Sequence, residues 1–281
     1  MTKEFIGLNR DTRDKFYTSV DVAKHMISMF TKKVKVNSRD LFIEPSAGNG
    51  AFSNILFKKF KNVQAYDIEP QNVNINQQDF LEIVNPGCKN ECKIHTIGNP
   101  PFGRQSTLAK RFIKKSAQFS STIAFILPRS FKKPSFSQVF PPEFHLLYSE
   151  DCPDNAFVIN GKTYNVPCVF QIWVRRQHKR EIEYTEQPFG YCFCKQDDKP
   201  TFAIRRIGVY AGKCIFDDLD QVSSQSHYFL KMSKKHKINV KNFNREYEKL
   251  EYQRDNTVGP RSISKNEIIV ILNEVMRKLY T

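Results

Sequence analysis

The chain has 281 residues, 40% hydrophobic and 26% charged, with 44 lysines and arginines against 29 acids, a formal net charge of +15. No apolar run approaches the roughly 20 residues that cross a bilayer, and no signal-peptide core follows Met1-Thr2-Lys3-Glu4. A membrane protein is therefore set aside, and the chain is expected to stay in a reducing compartment, cytoplasmic or nuclear. The length suits one large domain or a core with a small appendage. A dispersed basic excess of this size points to a polyanionic partner, nucleic acid above all. Seven cysteines is an odd number without framework spacing, so no disulfides are expected. Cys88, Cys92 and His95 offer three zinc ligands but lack a fourth and the Cys-x-x-Cys knuckle, so no metal is expected either.

In chain order, Asp21 to Phe30 is predicted to be a helix, because Val22, Met26, Ile27 and Phe30 share one face. Ser19 or Asp21 would cap it. Asp40 to Glu44 is an apolar strand that ends in an acid able to meet a positive ligand group. It runs into the small-residue loop Pro45-Ser46-Ala47-Gly48-Asn49-Gly50-Ala51-Phe52 and then a helix to about Phe60. Strand, small-residue turn, helix is the plan of a nucleotide-type site, where N–H groups at a helix start approach the ligand closely. The Gly-Lys-Ser/Thr ending of a phosphate-binding Walker loop is absent. Val63 to Asp67 is a second strand, its acid placed to accept two ribose hydroxyls. Ile75 to Phe80 supplies a third acid, Asp79, at a strand end.

Ile94 to Ile97 is the fourth strand and delivers Asn99-Pro100-Pro101-Phe102 at its C-terminal end. Two prolines stiffen the backbone and remove two donors, which leaves carbonyls outward. An Asn side-chain oxygen beside such a carbonyl can accept both hydrogens of one amine. Phe102 offers a flat face to a base. Thr107 to Phe119 reads as a basic amphipathic helix with Leu108, Phe112, Ile113 and Ala117 inward. Thr122 to Leu127 is nearly all apolar, as a central parallel strand is, and ends in a basic loop, Pro128 to Lys133, on the same rim. Phe144 to Cys152 and Val166 to Arg176 are two further strands, joined through an Asn160-Gly161 hairpin signal.

Beyond Arg176 the composition shifts, and the polar break Gln177 to Glu181 gives domains of 1–178 and 179–281. Arg205 and Arg206 sit in a strand-like run, Phe202 to Val209. The densest basic run holds Lys231, Lys234, Lys235, Lys237 and Lys241, either a solvated face or a phosphate contact. Ser264 and Glu267 form a capping-box signature before a closing helix with Ile268, Ile269, Leu272, Met276 and Leu279 on one face.

Taken together, these motifs resemble the class I S-adenosylmethionine-dependent methyltransferases, and within them the amino-methyltransferases of adenine. Phe16-Tyr17-Thr18 is similar to the aromatic-Tyr-Thr segment those enzymes place against the methionine end of the cofactor. Glu44-Pro45-Ser46-Ala47-Gly48-Asn49-Gly50 looks like their cofactor loop, and Asn99-Pro100-Pro101-Phe102 resembles their catalytic tetrapeptide. The motif order is that of the gamma arrangement, and the likeness covers about residues 14–176. Two departures stand out: the usual Tyr-Thr-Pro is Tyr17-Thr18-Ser19 here, and the C-terminal part is short for a sequence-reading domain.

The resemblance implies an α/β fold, a Rossmann-like seven-stranded methyltransferase sheet with helices on both faces and a terminal antiparallel hairpin, plus a small basic α+β C-terminal region. It implies S-adenosylmethionine as cofactor, held by Tyr17, Thr18, Glu44, Pro45, Ser46, Gly48, Gly50, Phe52, Asp67, Ile68, Asp79, Phe80 and Asn99. Asn99, Pro100, Pro101 and Phe102 would be catalytic. Phe102 and Phe157 would hold the target base, and Arg129, Lys132, Lys133, Arg205, Arg206, Lys234 and Lys235 would meet the nucleic-acid backbone. The expected reaction is methyl transfer to the N6 amine of a flipped-out adenine, with DNA ahead of RNA. The alternative from another class is a nucleic-acid-binding subunit that keeps the fold but is inactive or needs a protein partner.

Overall fold

Short parallel strands alternating with helices build the first of two units into which the chain divides, residues 1–182 and 183–281. The computed structural model describes residues 16–84, 86–87, 92–159, 162–181, 186–233, 235, 239–249 and 262–280. β1 (Tyr17–Thr18) leads into α1 (Val20–Lys33), whose start is fixed by Ser19: its side chain accepts the Val22 N–H. The predicted face Val22, Met26, Ile27 and Phe30 is buried as expected, together with Ala23. The helix outruns its apolar pattern by a turn that ends in Lys32 and Lys33, where the helix dipole favours positive charge.

The strands that follow are β2 (Leu41–Glu44), β3 (Asn62–Asp67), β4 (Asn76–Gln77) and β5 (Ile94–Gly98), then β6 (Thr122–Pro128) and β7 (Phe144–Asp151). A short hairpin, β8 (Phe157–Ile159) and β9 (Lys162–Tyr164), precedes β10 (Cys168–Arg175). α2 (Ser53–Lys59) links β2 to β3, α3 (Thr107–Ser116) links β5 to β6, and the single turn α4 (Pro134–Ser137) lies between β6 and β7. Seven strands form one sheet in the order β4-β3-β2-β5-β6-β10-β7, and β10 runs antiparallel to both its neighbours while the others pair in parallel. This is the Rossmann-like methyltransferase sheet that the motifs implied.

Its centre is dry. β6 is buried along its whole length, and Cys168 through Trp173 of β10 are buried too, so neither strand needs a polar face. One polar residue in β10, Gln171, is satisfied internally: it donates to the Phe131 carbonyl and accepts from the Trp173 indole N–H. At the opposite end of the sheet from the strand C-termini, His95 meets Asp40 at 3.2 Å in full burial, and Asp40 also accepts the Asn37 and Lys93 N–H groups. His95 is thus a core partner of a carboxylate.

Three expectations change. The Asn160-Gly161 signal, which itself lies outside the described residues, does not join β7 to β10 as a tight turn. The strands on either side of it form a separate hairpin that pairs with β1, with Tyr17 opposite Val158 and Thr18 opposite Phe157. The polar stretch after Arg176 is packed on the first unit. Arg180 lies over the Trp173 ring and donates to the carbonyls of Ser137, Phe140 and Phe144, because a guanidinium can shed water onto carbonyls in a fixed fork. Cys92 is disulfide-bonded, although none was expected; an odd total excludes only a fully paired framework, not a single pair.

The second unit is a four-stranded antiparallel sheet in the order β11-β14-β12-β13, made of β11 (Tyr191–Cys194), β12 (Phe202–Arg205), β13 (Cys214–Ile215) and β14 (His227–Met232). Against it pack α5 (Val240–Glu248) and α6 (Lys265–Tyr280), through Phe202, Ile204, Leu230, Phe243, Leu272 and Val275. The capping box is present: Glu267 accepts the Ser264 N–H and Ser264 accepts the Glu267 N–H. Buried Asn273 uses both ends of its amide, accepting from Phe189 N–H and the Tyr191 hydroxyl and donating to Glu186 and the Gln187 carbonyl. No helix among the described residues is long and apolar enough to cross a membrane.

Candidate functional site

The strand order reverses between β2 and β5, and open α/β sheets bind ligands in the crevice outside the strand ends at that point. Glu44 closes β2, and Asn99 follows β5 directly. Between them lies a cavity of about 260 Å³.

One wall is the loop after β2. Ala47 N–H donates to the Tyr66 carbonyl, and Gly48 N–H to Asp67 Oδ2 at 2.7 Å, so the loop is tied to the neighbouring strand. Gly48 has a φ of +51°, and a Cβ there would lie 2.8 Å from the Tyr17 ring, so glycine is required by both backbone and space. Asp67 Oδ1 accepts the Glu69 N–H at 2.8 Å. With one bond on each oxygen, the carboxylate is held rigidly and keeps lone pairs toward the cavity. Asp79 is fixed similarly by the Leu81 N–H at 2.8 Å, and Phe80 beside it stacks on Phe112 at 5.6 Å.

Among the described residues, three buried oxygens on this cavity have no hydrogen-bond partner: Thr18 Oγ1, Glu44 Oε2 and Asn99 Oδ1. A buried polar atom left bare is expensive, and three converging on one cavity mark a place built for a polar ligand. Glu44 is 2% exposed, and burial, with the nearby Asp67 charge, pushes its carboxyl well above the ordinary 4.5. A cationic group entering the cavity would reverse that penalty. Asn99 is oriented by its other end, since Nδ2 donates to the Phe16 carbonyl at 2.9 Å, while Ser46 Oγ donates to the Asn99 carbonyl at 3.0 Å.

Every cofactor residue expected from the sequence lines the cavity except Gly50, which serves the turn by donating to the Ala47 carbonyl at 2.7 Å. Tyr17, Thr18, Pro45, Ser46, Phe52 and Ile68 all stand on its wall, as do Pro100, Pro101 and Phe102. The Phe102 carbonyl accepts the Leu108 and Ala109 N–H groups, which fixes the tetrapeptide to the start of α3. Phe157 is different. It is wholly buried, edge-on to Phe16 at 5.9 Å, and presents no face to a base. Phe16 takes the place on the cavity instead.

Arg129 and Lys132 do not line the cavity; both approach Asp151, at 3.7 and 3.1 Å. Lys133 is buried and caps α4. Arg205, Arg206 and Lys235 belong to the second unit, and Lys234 lies outside the described residues. Sequence reasoning missed Leu108 and Arg111, which line the cavity from α3. The helical periodicity put Leu108 and Phe112 inward, but periodicity does not distinguish a core wall from a cavity wall. No cluster of metal-ligating side chains occurs among the described residues.

Residues 35–181 match the family described as the EDM2 methyltransferase-like domain. No curated protein matches the chain. Among solved structures, a candidate RNA methyltransferase, PH1948 of Pyrococcus horikoshii, is 14% identical with a TM-score of 0.45, over 60% of this chain and 92% of that one. A candidate class I S-adenosylmethionine-dependent methyltransferase of Listeria monocytogenes is 13% identical with a TM-score of 0.41, over 61% of this chain and 63% of that one. An rRNA methylase of Streptococcus thermophilus is 14% identical with a TM-score of 0.35, over 56% and 94%. Identity this low says nothing about a shared substrate. With more than half of its length inside the matched region, the chain belongs to the EDM2 methyltransferase-like domain family.

Proposed function

We propose that the protein is an S-adenosylmethionine-dependent methyltransferase acting on the exocyclic N6 amine of adenine in nucleic acid, DNA ahead of RNA. The observation that carries the reading is the bare Asn99 Oδ1 on a cavity that also holds the bare Glu44 Oε2 and Thr18 Oγ1. The residues fit the cofactor. Glu44 suits an α-ammonium group, Asp67 a pair of ribose hydroxyls, and Asp79 an adenine amine, with Phe80 against the ring. When bound, S-adenosylmethionine supplies an electrophilic methyl group on a sulfonium.

The chain's own residues then act on the target. An adenine amine delocalises its lone pair into the ring and is a poor nucleophile. Asn99 Oδ1 and the Pro100 carbonyl would accept hydrogen bonds from its two N–H groups, which draws the nitrogen toward tetrahedral geometry and directs the lone pair outward. As the N–C bond forms and the sulfonium C–S bond breaks, the amine would lose one of those protons to solvent. Phe102 holds one face of the base, and Phe16 and Pro101 exclude water around it. Positioning and electrostatics do the work, with no covalent enzyme intermediate. A base can reach this pocket only by leaving its stack, and a net charge of +15 suits the polymer that carries it.

The test is calorimetric titration with S-adenosylmethionine, followed by transfer of a labelled methyl group to matched DNA and RNA oligonucleotides, single- and double-stranded. Cofactor binding together with transfer to an adenine-containing strand is expected. Binding without transfer to any strand favours a partner-dependent subunit, and absence of binding contradicts the methyltransferase reading and favours the inactive nucleic-acid-binding subunit.

A further inference from the structure

Outside the cavity, the second unit presents an unusual loop between β12 and β13. Its tip exposes two apolar side chains, Val209 at 70% and Tyr210 at 64%, beside half-exposed Ile207. The tip is rigidly built. The base closes through Arg205 N–H to the Lys213 carbonyl and Gly212 N–H to the Arg205 carbonyl. Two tight turns follow, Ala211 N–H to the Gly208 carbonyl and Lys213 N–H to the Tyr210 carbonyl. Gly208 and Gly212 have φ of +88° and +89°, a backbone that glycine adopts without strain. From below, the Tyr247 hydroxyl donates to the Gly212 carbonyl at 2.8 Å. The side chains on this frame are ordered as well: Arg205 Nε donates to the Ile207 carbonyl, which lays its guanidinium beside Gly208, and the Lys213 ammonium stands 6.0 Å from the Tyr210 ring. No carboxylate among the described residues pairs with Arg205 or Lys213.

We propose that this loop, residues 206–213, is a docking finger for single-stranded nucleic acid: Tyr210 stacks on an unpaired base while Arg205 and Lys213 meet the flanking phosphates. A flat, exposed aromatic flanked by uncompensated cations is the chemistry that binds single strands without reading sequence, the ring taking any base and the cations the backbone. Preorganisation adds to this, because little side-chain or loop freedom is lost on binding. The inference rests on the nucleic-acid reading above and names a second contact for the same polymer. A flipped-out target base requires a locally unpaired strand, which is the form this finger would hold.

The experiment is fluorescence anisotropy of a labelled single-stranded oligonucleotide with the full-length chain, across a salt series. Tyr210→Ala should weaken binding roughly tenfold, the effect of losing one stacked base, and Tyr210→Phe should bind like the unmodified chain. Lys213→Glu should lower the salt slope by about 0.7, one phosphate contact on a single strand. Melting curves of the variants check that the fold is intact, as expected for exposed side chains. Tyr210→Ala binding as tightly as the unmodified chain overturns the finger and leaves the nucleic-acid reading standing. Failure of the unmodified chain to bind any oligonucleotide overturns both. Tyr210-dependent sedimentation with phosphatidylserine vesicles, without oligonucleotide binding, would assign the finger to a membrane surface and also overturns it.

Discussion

Asn99 Nδ2 donates a 2.9 Å hydrogen bond to the main-chain carbonyl of Phe16, a residue 83 positions earlier. This bond decides which way the amide faces: turned over, Oδ1 would confront a carbonyl oxygen. The donor end is therefore committed to the protein, and the acceptor end is left to the cavity. Asn99→Ala removes that acceptor without touching Glu44, Asp67 or Asp79. Transfer should fall by about a hundred- to a thousandfold, the scale seen when one preorganised polar contact to a reacting group is deleted. Calorimetry should find S-adenosylmethionine binding within a few-fold of the unmodified chain. Unchanged turnover would contradict the assigned role.

The Phe16 carbonyl is itself held in place by β1, which is stitched to the hairpin through the Tyr17–Val158 and Thr18–Phe157 pairs and the Ser19 N–H bond to the Ala156 carbonyl. Phe157 lies under this seam. Phe157→Ala should destabilise the first unit by about 3–5 kcal/mol, as large-to-small changes at buried aromatics do. Phe157→Leu, which refills most of the volume, should recover most of the melting temperature. If Phe157→Ala melted like the unmodified chain, the buried contact with Phe16 would be absent in solution.

Glu44 sets stability against binding. Its folded-state proton affinity is raised above the ordinary value near 4.5, so the folded chain holds that proton more tightly than the unfolded chain. Stability is then greatest at low pH with respect to this group and is lost as pH climbs from 4.5 through the folded value. Glutamine does not titrate. Glu44→Gln should therefore gain in melting temperature relative to the unmodified chain as pH rises from 4.5 toward neutrality, while its affinity for S-adenosylmethionine falls roughly tenfold or more, the value of a charged hydrogen bond. Melting curves of the two proteins that stay parallel over that range would count against the raised proton affinity, and unchanged affinity for S-adenosylmethionine in Glu44→Gln would count against the ligand role of the carboxylate.

Gly48 offers a steric test. An alanine there meets the Tyr17 ring at 2.8 Å and must hold a left-handed backbone, which costs roughly 1–2 kcal/mol. Gly48→Ala should lower the melting temperature, and adding Tyr17→Ala should restore the part caused by the clash. No recovery in the double variant would mean that the strain is all in the backbone.

Much of this was legible from residue types alone. β2, β5 and β6 announced themselves as largely apolar runs, and the small-residue loop followed β2 at the spacing that puts Gly48 against Asp67, whereas β4 is two exposed polar residues with no such mark. What stayed hidden depends on three-dimensional partners. Phe157 reads as an exposed hairpin aromatic until β8 is seen to pair with β1. Arg129 and Lys132 read as open cations until Asp151, from a later strand, comes within reach. Arg111 and Leu108 carry no local mark, because a helix face on a cavity has the same periodicity as one on a core. Tyr210 stayed hidden for another reason: Gly208 and Gly212 mark turns on either side of it, but a turn does not say whether the aromatic it carries is buried or exposed.

If Asn99 presents an adenine amine for methylation, as proposed, the product is N6-methyladenine. The most direct measurement is chromatography of nucleosides after the chain has reacted with S-adenosylmethionine and adenine-containing oligonucleotides. N6-methyladenine should accumulate with the unmodified chain and disappear with Asn99→Ala, which still binds the cofactor. A methyl group found on another base, on protein, or undiminished in Asn99→Ala would contradict the account.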